Sequence, residues 1–100
     1  MTNNRLEFLP RAKRDLKRIS NYSRKKFGEV AVLRTRADIN ATVEHLRLHP
    51  SMGRSREELG SGFRSMVSGE FTVFYRVDSE LVSILSIKHQ RQHVTEEDFD

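Results

Sequence analysis

The chain of 100 residues has no cysteine and no tryptophan, and only two prolines and five glycines. Without cysteine there are no disulfides and no thiolate metal sites, which fits a reducing compartment. No apolar run approaches the roughly 20 residues that a membrane-spanning helix needs. The opening Thr2-Asn3-Asn4-Arg5 also lacks the apolar core of a secretory signal. The expectation is a cytoplasmic protein that does not engage a membrane. Phosphate-binding glycine loops, dinucleotide-fold fingerprints and nucleophile elbows are missing, as are repeats and low-complexity tracts, so no cofactor is expected.

What is present fits one domain over residues 1–100, with residues 92–100 as an acidic tail. A chain of this length buries about two thirds of its unfolded surface. With 36% apolar residues, the core is expected to be thin. The formal charge of +4 hides an asymmetry. Residues 1–36 carry eleven Lys and Arg against Glu7, Asp15 and Glu29, a net +8, whereas residues 37–100 carry seven against eleven acids, a net −4. Such a basic half steers anionic partners, nucleic acid or an acidic peptide, or is simply a solvated helix face.

Arg5-Leu6-Glu7-Phe8-Leu9 alternates polar and apolar, as a short strand does. Pro10 ends it and suits the first turn of a helix, where its missing N–H has no intrahelical partner. Ala12, Leu16, Ile19, Ser23 and Phe27 then form one helical stripe, and Gly28 is a natural stop. From Glu29 a second helical pattern follows, with Val32, Ile39, Val43 and Leu46 in one row. Leu33, Ala37 and Ala41 are read as lying close beside that row, giving a wide stripe with contacts on two sides. Pro50 ends this helix at His49. The short link at Gly28 predicts an antiparallel helical hairpin.

Ser51 to Ser61 reads as a polar loop carrying the exposed Arg54 and Arg56. Three strands then follow: Gly62 to Ser68, Phe71 to Val77 and Leu81 to Ile87, separated by Gly69-Glu70 and Asp78-Ser79-Glu80. The fold class expected is α+β, β-α-α-β-β-β, with the hairpin packed on a small, twisted, mainly antiparallel sheet. The tail Thr95 to Asp100 is either frayed or a single helical turn capped by Thr95.

The last strand runs into Lys88-His89-Gln90-Arg91-Gln92-His93, a basic end. His89 lies between Lys88 and Arg91 and is read as able to face Arg64 or Arg76 across the sheet. In that setting it can act as general acid or base on RNA, with the cations stabilising phosphate charge. Alternatively it caps the strand and packs its ring over the sheet. Arg64 and Arg76 either reach carboxylates or phosphates from the open face or are solvated. His45 and His49 stand at i and i+4 on a helix, a spacing that can hold zinc. The metalloprotease glutamate is missing between them, so they are read as solvated helix-end histidines and no metal is expected.

These pieces, in order, resemble a known pattern: Leu9-Pro10 with Ala12, Asp15-Leu16 and Ile19; then His49-Pro50-Ser51-Met52-Gly53-Arg54 and Glu58-Leu59-Gly60-Ser61-Gly62-Phe63-Arg64; then Val73-Phe74-Tyr75-Arg76-Val77 and Ile84-Leu85-Ser86-Ile87-Lys88-His89-Gln90-Arg91. From about Leu6 to Arg91 the chain is similar to toxins of the RelE/ParE superfamily of type II toxin–antitoxin pairs, closest to the ParE branch. The resemblance implies a helical hairpin on a twisted sheet and a ParD-like antitoxin that wraps and neutralises the toxin. The pair is expected to repress its own operon, with the antitoxin touching DNA.

Within that superfamily, the RelE-like branch cuts mRNA on the ribosome. It often carries arginine where this chain has Thr72, and an aromatic residue where it has Gln90. The ParE-like branch resembles poisons of DNA gyrase, which trap cleaved DNA without catalysis of their own. The reading is therefore a non-enzymatic gyrase poison that meets DNA only through antitoxin or gyrase. Lys88, His89 and Arg91 are its expected target contacts, and Arg14, Arg18, Arg64 and Arg76 its antitoxin contacts. The alternative is a ribosome-dependent mRNA endonuclease using His89, Arg64, Arg76 and Arg91.

Overall fold

The computed structural model describes residues 4–92 and 94–99. His93 of the basic end therefore lies outside the described residues, as do Thr2, Asn3 and Asp100. Strand β1 (Arg5–Phe8) leads through an extended Leu9 into helix α1 (Pro10–Phe27), with Pro10 in its first turn. That extended conformation is what a residue preceding proline prefers. A single residue, Gly28, separates α1 from α2 (Glu29–Leu48). Its φ of 90° is costly for any side chain but free for glycine, and no neighbouring atom would obstruct a Cβ there. One glycine thus stops the first helix and reverses the chain into the second.

A 3-10 turn (Pro50–Met52) and a two-residue strand β2 (Arg54–Ser55) follow, then β3 (Phe63–Ser68), β4 (Phe71–Asp78) and β5 (Leu81–His89). The sheet runs in the order β1-β5-β4-β3-β2. Only the β1–β5 pair is parallel, and the rest are antiparallel. The layout is the expected α+β arrangement with one addition. Arg54 and Ser55, read as loop, pair with Ser65 and Arg64 as an edge strand. Their side chains are exposed on both faces, so no alternation marks them in the sequence. Both hairpins turn on two residues, Gly69-Glu70 and Ser79-Glu80. Gly69 and Ser79 take φ of 60° and 55°, as primed turns require.

The helices cover one face of the sheet. Ala12, Ile39, Val43 and Leu46 pack there on Val73, Tyr75, Val82, Ile84 and Ile87. The opposite face carries a smaller cluster, Leu59, Phe74 and Leu85, closed by Leu9, Phe63, Val94 and Phe99. Two expectations about the helices are corrected. Phe27 is exposed: it is the last residue of α1, beyond Ser23, the last buried position of that helix. Leu33, Ala37 and Ala41 are also exposed: they lie about 100–180° round from Val32, so α2 buries a single row and not a wide stripe.

The tail forms a 3-10 turn (Glu96–Phe99), and Phe99 packs edge-on against Phe63 and tilted against Phe74. In that turn the Thr95 N–H donates to Asp98 Oδ2 at 2.8 Å. No helix among the described residues is long and apolar enough to cross a membrane.

Candidate functional site

The geometry of the site begins with a bulge. Ile84 and Ser86 pair with the consecutive residues Tyr75 and Phe74, which leaves Leu85 as an extra residue in β5. A bulge frees a backbone donor and bends its strand. Here the Ile87 N–H is taken at 3.0 Å by the carboxylate of Asp15 on α1, which also accepts the Ser86 hydroxyl at 2.5 Å. Asp15 is only 4% exposed, and its other oxygen lies 3.7 Å from the solvent-facing Arg18. Asp15 therefore fixes the end of β5 against α1.

Beyond the bulge, the strand exit is pinned by its own backbone. The His89 N–H donates to Gln92 Oε1 at 2.8 Å, and the Gln92 N–H donates back to the His89 carbonyl at 3.0 Å. Gln90 is tied to the β3–β4 turn through the carbonyls of Glu70 and Gly69. His89 Nδ1 accepts the Arg91 N–H at 3.2 Å, which assigns the ring proton to Nε2. Its ring stands edge-on to Phe71 at 5.7 Å. Of the two roles open to His89, capping the strand and packing on the sheet is the one its observed contacts fill.

Lys88, His89 and Arg91 come together on the wall of a groove of about 870 Å³ between this exit and the helical hairpin. Arg18 lines the same groove, over a partly apolar floor that includes Ile19, Tyr22 and Ile87. Arg14 and Arg18 continue the basic surface along α1, with Lys17, Arg24 and Lys25, and both also lie beside Lys88. Five of the residues singled out in the sequence thus share one side of the molecule.

Arg64 and Arg76 do not join them. His89 pairs with Phe71, whereas Arg76 pairs with Phe63 and Ser83, and Arg64 with Tyr75. At about 3.4 Å per residue, Arg76 stands roughly 17 Å along β4 from the His89 position. The expectation that His89 faces either arginine is corrected by this register. Arg76 is exposed, but Arg64 is engaged: its Nη1 donates to the carbonyls of Gly53 (2.7 Å) and Ser51 (3.2 Å).

Beside Arg64, the fully buried Tyr75 donates its hydroxyl proton to the Pro50 carbonyl at 2.7 Å and accepts the Gly53 N–H at 2.9 Å. Burial pushes the Tyr75 phenol up from its ordinary value, although the Gly53 N–H and the Arg64 charge pull the other way. A Cβ on Gly53 would fall 2.3 Å from the Tyr75 hydroxyl, so this junction admits only glycine.

The sequence reading missed Asp15 and Tyr75 as organisers. For Asp15 a signal existed, since an acid at i+3 from Ala12 and i−4 from Ile19 lies on the apolar stripe. Among the described residues no three His, Cys, Asp or Glu side chains group to hold a metal. His45 and His49 have ring centroids 5.2 Å apart at the end of α2.

Solved structures share this fold. One, from a chromosomal ParDE system of P. aeruginosa, superposes with a TM-score of 0.75 over 87% of this chain and 96% of its own, at 24% identity. Another, from the RelBE2 toxin–antitoxin complex of Mycobacterium tuberculosis, gives 0.67 over 89% and 100%, also at 24% identity. In sequence, a Toxin ParE1 of Caulobacter vibrioides is 39% identical over 80 residues, covering 80% of this chain and 82% of that protein. A Toxin ParE1 of Mycobacterium tuberculosis is 29% identical over 58 residues, covering 57% and 59%. The family model described as the ParE toxin of the type II toxin–antitoxin system parDE matches residues 6–94. The fold is thus one found in toxin–antitoxin pairs, and the chain belongs to the ParE toxin family of type II systems.

Proposed function

We propose that this toxin binds DNA gyrase and traps its cleaved-DNA state, without catalysis of its own, and that a ParD-like antitoxin holds it silent. The observation that carries this reading is the division of the cations. A ribonuclease centre built on His89 needs its acid–base group and its phosphate-stabilising cations to converge within hydrogen-bond reach of one scissile phosphate. Arg64 and Arg76 lie well away from His89, and Arg64 is already bonded to backbone carbonyls. Lys88, His89 and Arg91 instead present a basic rim beside a groove, an arrangement suited to gripping an anionic or acidic surface.

Antitoxin contact is assigned to Arg14, Arg18 and Arg76, with the remaining donors of Arg64. Acidic side chains there would gain charge-assisted hydrogen bonds. DNA is met only through gyrase or through the antitoxin, and the protein works in the cytoplasm. The test adds purified protein to gyrase and plasmid, reading both supercoiling and double-strand breaks. Accumulation of linear DNA is expected. Unchanged gyrase together with cut transcripts would instead favour the ribosome-dependent endonuclease, a second reading that rests on His89 sharing one groove with Lys88 and Arg91.

A further inference from the structure

Away from the basic groove, three side chains converge where α2 ends. His45 and His49 stand four residues apart, their rings tilted by 52° with centroids 5.2 Å apart. Met52, in the 3-10 turn, brings its Sδ to 2.8 Å from His45 Nε2. All three are exposed, belong to no core cluster and have no part in the proposed toxic action. At that distance the lone pairs of nitrogen and sulfur repel unless a proton or a cation lies between them.

The spacing matches a shared ion. Two imidazoles bound at about 2.0 Å, with an angle between trigonal and tetrahedral, place their ring centroids roughly 5–5.5 Å apart. The observed 5.2 Å falls within that range. At the same angle, a third bond of about 2.3 Å to sulfur sets Sδ roughly 3.5–3.7 Å from His45 Nε2, so Met52 Sδ must retreat by about 0.7–0.9 Å. An exposed thioether with three rotatable bonds moves that far at little cost.

We propose that His45, His49 and Met52 form a copper(I) site. Imidazoles alone accept zinc, copper or nickel, and it is the thioether that selects copper(I). A zinc site would call for a further imidazole, carboxylate or thiolate, and no such group of three exists among the described residues. The ligands come from two elements, so the ion would tie the last turn of α2 to the segment whose carbonyls hold Arg64 and Tyr75.

The test titrates the whole chain with copper(I) in anaerobic, reducing buffer against a chromophoric copper(I) chelator. A single equivalent is expected to bind and, with free copper(I) about a hundredfold above Kd, to raise the unfolding midpoint by roughly 10 °C. Met52→Leu should weaken copper(I) at least tenfold while leaving zinc(II) affinity unchanged, and His45→Gln or His49→Gln should weaken both metals. His89→Asn and His93→Asn should retain the ion. In the unaltered chain, the Met52 ε-methyl resonance should move on copper(I) addition while those of Met1 and Met66 stay still. A stationary Met52 methyl, full copper(I) affinity in Met52→Leu, or loss of the ion in His89→Asn would overturn the proposal. The methyl measurement needs no substitution, so it decides the matter even where a variant misfolds.

Discussion

The two strands of the β4–β5 ribbon are each organised by a buried polar side chain, but to opposite effect. On β4, Tyr75, with Arg64 and Gly53, closes on backbone groups of residues 50–53, and the hydrogen bonds of that junction are spent internally. On β5, Asp15 holds the bulge, and the strand leaves the sheet with Lys88, His89 and Arg91 along a groove. A polar hub can therefore seal a fold or present a surface. The difference lies in whether the cations beside it find partners within the chain. Arg64 finds carbonyls, and Lys88 and Arg91 border open space.

Substitutions at the hubs should break this comparison most sharply. Asp15→Ala leaves the Ser86 hydroxyl and the Ile87 N–H buried without an acceptor, with an expected loss of about 3 kcal/mol. Urea unfolding measures it, and an unchanged midpoint would show that the bulge stands without Asp15. Gly53→Ala forces a methyl against the Tyr75 hydroxyl and the Ser65 carbonyl, with an expected cost of about 2 kcal/mol. The same unfolding series reads it.

Tyr75→Phe removes one donor and one acceptor and should cost about 1 kcal/mol at neutral pH. It should also flatten the alkaline limb of the stability profile. Because burial raises the folded phenol above its ordinary value near 10, the unfolded phenol ionises first. The stabilisation is complete below that pH and is lost as pH rises through the folded value. Comparing midpoints of the parent and Tyr75→Phe between pH 9 and 11 isolates this contribution.

The smallest effect belongs to the helix junction. Arg24 holds the Glu29 carboxyl below its usual range, chiefly through their 2.7 Å hydrogen bond. Both side chains are exposed, so Glu29→Gln should leave the midpoint within experimental scatter, screened like other exposed pairs.

Much of the frame was legible in the sequence because it follows periodicity. Ala12 and Ser23 on α1, and Val32, Ile39, Val43 and Leu46 on α2, are buried as their spacing requires, and Pro10, Gly28 and Pro50 punctuate the helices where they fall. The bulge was not legible. Leu81-Val82-Ser83-Ile84-Leu85-Ser86-Ile87 is buried from Val82 onward, with its two serines as deep as its leucines, so a one-residue slip leaves no polar mark. The turn at Ser79-Glu80 is what takes His89 away from Arg64 and Arg76: it fixes a pairing in which His89 falls opposite Phe71, five residues along β4 from Arg76, and the slip at Leu85 changes that by only one residue.

The basic rim was legible as composition, since Lys88 and Arg91 adjoin in sequence. Its meeting with Arg14 and Arg18 depends on Asp15, which reads locally as one more charge on a charged helix.

The central claim is that the exit of β5 acts on the target while contributing little to the fold. It is tested most directly by comparing the parent with the double variant Lys88→Ala/Arg91→Ala in the gyrase cleavage assay, with unfolding midpoints measured on the same samples. Linear DNA with the parent, its loss with the variant and equal midpoints are the predicted result. A variant that folds normally and traps as much linear DNA as the parent would contradict it.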